Sequence, residues 1–84
     1  MKNKVLVEIL VPSIEEKYDV YLPVNKKIGN IIILLSRAIS EFTNGVYSGD
    51  ETVCLYNNIT GEKYNIDAVL RVTDIRNGST LVLM

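Results

Sequence analysis

The chain has 84 residues, 48% of them apolar and 23% charged, with a net charge of −1 and a pI near 5.3. This describes one small globular domain without the basic excess of a nucleic-acid binder. A single cysteine, Cys54, and no histidine exclude an internal disulfide and the usual Cys/His zinc sites.

Lys2 and Lys4 precede an apolar stretch, as in a secretory signal. Glu8 interrupts that stretch, Pro12 ends it, and no small-residue cleavage site follows. No apolar run approaches the length of a membrane span. The expectation is a cytoplasmic protein that inserts into no membrane.

Residues 5–11 (VLVEILV) are β-branched and apolar enough for a strand, with Val5, Val7, Ile9 and Val11 on one face and Leu6, Glu8 and Leu10 on the other. Residues 12–17 are turn-forming by composition. Residues 18–22 then alternate, Tyr18, Val20 and Leu22 against Asp19 and Tyr21. Two strands around a short polar turn predict an antiparallel hairpin. Pro23 closes it, since proline lacks the N–H a ladder needs.

Residues 26–42 (KKIGNIIILLSRAISEF) carry the strongest signal. Ile28, Ile31, Ile32, Leu35, Ala38, Ile39 and Phe42 recur at the spacing of one helical stripe, covering an arc of about 120°. Asn25 is placed to cap the start, and Asn44 or Gly45 to end the helix in the left-handed conformation. Ile33 breaks the pattern: it points to the solvent side, where it is a candidate partner contact.

Residues 44–51 form a polar loop, and residues 52–56 predict a third strand with Val53 and Leu55 inward and Cys54 and Tyr56 outward. Residues 57–61 are turn material, and residues 62–66 a weak fourth strand. Residues 67–76 sustain neither period; a single helical turn is expected, with Leu70, Val72 and Ile75 partly buried. Asn77-Gly78 is a turn before a last strand over residues 79–84. One helix and a mainly antiparallel sheet make an α+β domain with the helix across one face.

Leu70, Ile75 and the segment Ser79-Thr80-Leu81-x-Leu83 stand at the mutual spacing of ubiquitin's closing segment, and the hairpin ending in Pro23 before the helix fits too. The chain thus resembles ubiquitin over nearly its whole length. Among ubiquitin-like families it is most similar to the YukD/EsaB family of type VII secretion systems. Its length, the Leu22-Pro23-Val24 step before a lysine-bearing helix start, and a chain stopping on the last strand carry that likeness. The resemblance implies a β-grasp fold with sheet order 2-1-5-3-4 and parallel first and last strands at its centre. It also implies a small cytosolic partner of a secretion apparatus.

Chemistry of its own is not expected. Without histidine there is no Ser-His or Cys-His nucleophile pair, and Cys54 lies mid-strand, where a packed thiol is the ordinary reading. The carboxylates sit mostly in turns, residues 44–51 lack the acidic spacing of a calcium loop, and no glycine-rich phosphate cradle follows a strand. No catalytic residue, cofactor or metal is therefore assigned. Conjugation needs a flexible Gly-Gly tail, whereas the sequence closes on Leu81-Val82-Leu83-Met84. If these residues are the whole chain, it is not a modifier.

A non-conjugating adaptor or regulatory binding module remains, accessory to type VII secretion. The alternative is a β-grasp subunit of an unrelated complex, or an enzyme's accessory subunit. In the expected sheet order, Leu6, Leu10, Tyr56, Val82 and Met84, with Cys54, form one apolar area on the face away from the helix. That area is the candidate site for a partner protein or a second copy of the chain.

Overall fold

The computed structural model describes residues 3–47 and 53–84. Strand β1 (Lys4–Val11) and strand β2 (Glu16–Pro23) form the predicted hairpin, joined by a 3-10 turn at Pro12–Ile14. Glu15 closes that turn in the left-handed region, at φ 53°. Helix α1 (Ile28–Phe42) follows, then the short strand β3 (Leu55–Asn57), a 3-10 turn at Leu70–Val72, and strand β4 (Thr80–Leu83). The α+β architecture is the one expected.

The sheet order is β2-β1-β4-β3, with β1 antiparallel to β2, parallel to β4, and β4 antiparallel to β3. The central parallel pair joins the first and last strands, as the order 2-1-5-3-4 required. Its outermost strand, over residues 62–66, does not form. An isolated Tyr56–Lys63 bridge and the bonds from Asn57 N–H to the Glu62 carbonyl (2.9 Å) and Tyr64 N–H to the Leu55 carbonyl (2.9 Å) are what pairs there. The competing interactions are local. Asn57 Oδ1 accepts the N–H groups of Ile59 (2.8 Å) and Thr60 (3.1 Å), and Asn65 Oδ1 accepts that of Asp67 (2.9 Å). Such side-chain turns pull the backbone out of a ladder. The third strand is also shorter than predicted. Thr52 lies outside the described residues, and Val53 and Cys54 precede β3, although Cys54 exchanges backbone bonds with Met84 (2.8 and 3.1 Å).

The stripe of α1 packs on the inward sheet face. Ile28, Ile31, Ile32, Leu35 and Ile39 are buried with Val7, Ile9, Val11, Leu22, Leu55, Leu81 and Leu83. Leu70 and Ile75 are fully buried in the same core, but Val72, expected to be partly buried, is 73% exposed. A 3-10 turn has three residues per turn, so two of its neighbouring side chains cannot both face inward. Phe42 also departs from expectation: it is exposed at the last helical position, its ring tilted against Tyr18 at 5.6 Å. Tyr47, not foreseen as core, is buried, and among the described residues its hydroxyl has no hydrogen-bond partner.

Both ends of α1 are closed by backbone geometry. At the C-terminal end Asn44 and Gly45 both take positive φ (52° and 83°). Gly45 N–H reaches the Ser40 carbonyl at 2.8 Å and Asn44 N–H the Glu41 carbonyl at 3.3 Å, a Schellman arrangement. At the start, Asn25 is not the cap. The cap position is Lys27, without a side-chain bond. The N–H groups of Ile28 and Gly29 instead donate to the carbonyls of Ala68 and Ile66, both at 2.9 Å. Gly29 permits that approach, because a Cβ there would sit 3.2 Å from the Ile66 oxygen.

Leu35, at the middle of the stripe, is 4% exposed. Leu35→Ala is expected to destabilise the fold by about 2–5 kcal/mol in denaturant unfolding, a large share of so small a domain's stability. A parent-like midpoint would contradict the packing.

Candidate functional site on the outer sheet face

Alternation along each strand sends every second side chain to the face opposite α1. Register then decides which of them become neighbours. Leu10 pairs with Lys17 on β2 and with Val82 on β4; Val82 pairs with Tyr56 on β3, and Tyr56 bridges Lys63. The outer face therefore carries one row across the sheet: Lys17, Leu10, Val82, Tyr56, Lys63. Three half-buried apolar side chains lie between two exposed lysines. Met84, 57% exposed, and half-buried Cys54 continue the apolar area toward the chain end, facing each other through their paired backbone bonds. Beside Leu10 an open hollow of about 450 Å³ is lined by Leu10, Val11, Pro12, Glu15, Glu16 and Lys17.

Leu6 does not join this area. Glu8 pairs with Asp19 on one side and Thr80 on the other, which puts a polar row between Leu6 and Leu10. Leu6, 39% exposed, instead neighbours Tyr21, while its backbone bonds to Asn77 Oδ1 and Gly78 N–H, both at 2.8 Å. The expected single area is thus two. Leu10, Tyr56, Val82 and Met84 make the larger, and Leu6 with Tyr21 the smaller. Ile33 is 56% exposed, as expected, but it stands on the helix, on the other side of the sheet.

Sequence reasoning missed the lysines that bound the row. Lys17 was legible, since it alternates with Tyr18. Lys63 was not, because its placement depends on one isolated bridge. It also missed the network that fixes the β3 edge. The Tyr64 hydroxyl donates to Asp74 Oδ1 at 2.6 Å, and Asn57 Nδ2 donates to Asp74 Oδ2 at 3.2 Å. Burial and the bond donated to Asp74 push the Tyr64 phenol up from 10.0 to about 12; the charges of Asp74 and Glu62 act in the same sense, and Asn57 opposes them. This group braces residues 57–64 against the turn before β4. Among the described residues, no cluster of three acidic, cysteine or histidine side chains is placed to hold a metal ion.

No family model and no curated protein sequence matches the chain. Solved structures do match in shape. The chain superposes on part of the MycP5-free ESX-5 inner membrane complex (State II) with a TM-score of 0.80 and 15% identity, covering 98% of this chain and 21% of that one. It therefore spans about a fifth of that chain's length. The EccD5 ubiquitin-like domain from Mycobacterium xenopi gives 0.78 at 15% identity, covering 96% of this chain and 92% of that one. The ubiquitin-like domain of the Mycobacterium tuberculosis type VII secretion system protein ECCD1 gives 0.74 at 17%, covering 95% and 96%. At these identities the likeness establishes the fold, which is ubiquitin-like.

Burial of the Tyr64 phenol, together with its bond to Asp74, has a pH signature. In the unfolded chain the phenol ionises near 10.0, and in the folded one near 12. Its contribution is therefore complete below pH 10 and lost as pH rises to about 12, because the unfolded state releases the proton first. Tyr64→Phe should remove this part of the alkaline loss of stability in denaturant unfolding across that window. An identical pH profile for parent and variant would show that burial and the Asp74 bond do not hold the proton.

Proposed function

We propose that the protein is a ubiquitin-like binding module, not a catalyst, that docks a partner protein through the outer face of its sheet. The observation that carries this reading is the row Leu10–Val82–Tyr56 between Lys17 and Lys63, extended by Met84. A sheet face turned to water ordinarily alternates toward polar side chains, and here the adjacent central positions are apolar. Contiguous apolar surface rimmed by charge is the usual composition of a protein contact. The absence of histidine supports a binding role over acid–base or nucleophilic chemistry.

The likenesses support a partner class. Ubiquitin-like domains of type VII secretion proteins share the fold over 95% or more of this chain. Together with the YukD/EsaB resemblance, this supports a cytoplasmic adaptor or regulator of a type VII secretion apparatus. Such a module would bind a protein component of that apparatus. A second copy of the chain is the other occupant the same surface suits.

Leu10→Lys with Val82→Lys places two charges in the middle of the row while leaving the inward face intact. The double variant should keep the parent's unfolding midpoint and lose binding to secretion components captured by the tagged parent, by about tenfold or more in affinity. If every such component still binds and the oligomeric state by light scattering is unchanged, the outer face is not the docking surface.

A further inference from the structure

The charges of the domain are sorted by end. Lys4 pairs with Pro23 at the open end of the hairpin, and Val24 N–H donates to the Asn3 carbonyl there at 3.0 Å. Arg71 N–H reaches the Val24 carbonyl at 2.9 Å, Leu70 N–H the Lys26 carbonyl at 3.0 Å, and Lys27 bridges Val69. These backbone contacts bring Lys4, Lys26, Lys27 and Arg71 to one end of the molecule, all of them exposed. Among the described residues one carboxylate, Asp67, lies near them, between the Ile66 and Ala68 carbonyls that take the first amides of α1, and none of the four cations forms an ion pair. Val72, beside Arg71, is 73% exposed at the same end.

The other end has the opposite sign. Val11 pairs with Glu16, Glu15 closes the 3-10 turn, and the Tyr18–Phe42 ring contact brings the helix end with Glu41 alongside. Glu15, Glu16 and Glu41 are exposed there, with Lys17 and, one helical turn before Glu41, Arg37 as the nearby cations. Helix α1 starts at the basic end and finishes at the acidic one, so its macrodipole adds to the side-chain asymmetry. The net charge of −1 hides this separation.

We propose that the end formed by Lys4, Lys26, Lys27 and Arg71 rests on an anionic lipid bilayer surface, with Val72 at the headgroup level. Basic clusters of this size are drawn to anionic headgroups, each cation contributing within a Debye length of the surface. A flat field of one sign also orients a polarised domain. It attracts the basic end and turns Glu15, Glu16 and Glu41 away. An acidic peptide would gain the attraction but not use the orientation. The contact proposed is with the bilayer surface; no helix among the described residues is long and apolar enough to cross a membrane. The inference goes beyond the outer-face reading and stands or falls separately, because Lys26 and Arg71 lie outside the row on that face.

The test is co-sedimentation of the protein with vesicles of phosphatidylcholine containing phosphatidylglycerol, against pure phosphatidylcholine, at low and high salt. The expected result is association with the anionic vesicles alone, weakened by salt. Lys26→Ala with Arg71→Ala should lower the partition coefficient by about thirtyfold. Lys17→Ala with Lys63→Ala removes the same charge elsewhere and should lower it by less than about threefold. Thermal melts of both variants should match the parent. Equal loss in the two variants, no preference for anionic vesicles, or binding to poly-glutamate but not to vesicles would each overturn the proposal.

Discussion

The fold depends on how the first turn of α1 is held. The opening amides of a helix have no partner within it and require one from elsewhere. Here Ile28 and Gly29 find theirs in the carbonyls of Ala68 and Ile66, and the chain returns the bonds when Leu70 and Arg71 donate to the carbonyls of Lys26 and Val24. These four long-range backbone bonds tie the helix entry to the segment leading into β4. They place Leu70 and Ile75 beneath the stripe, where both are fully buried. Gly29 is the local condition, since a side chain there would press on Ile66.

That constraint divides the surface into parts of different composition. The helix and the residue 66–72 segment occupy one face of the sheet, and the opposite face is left to its own side chains. On that face the register aligns Leu10, Val82 and Tyr56 between lysines and sets Glu8, Asp19 and Thr80 as a polar break before Leu6. The same backbone bonds gather Lys4, Lys26, Lys27 and Arg71 at the helix entry. An apolar sheet face and a basic end thus arise from one topology, with Lys26, Lys27 and Arg71 outside the apolar row.

Periodicity made much of this legible. The stripe from Ile28 to Ile39, the inward phases of β1, β2 and β4, the hairpin and the left-handed helix exit all follow from residue spacing and turn chemistry. What was not legible depends on contacts between distant segments. Asn25 has the chemistry of a cap, yet the loop carbonyls took its place. Residues 62–66 have strand-like alternation, but the Asn57 and Asn65 side chains bind local amides and turn the chain away. Phe42 completes the helical period and still projects past the core to meet Tyr18. The split of the apolar face at Glu8 was visible as a residue type. Its effect emerged only when register placed Asp19 and Thr80 beside it.

Native-state hydrogen exchange at the amides of Ile28 and Gly29 tests the central claim most directly. If the backbone of residues 66–68 holds the helix entry, both amides exchange slowly, with protection approaching that of Leu35 inside the helix. Exchange as fast as that of an uncapped helix start, with Leu35 still protected, would contradict the account.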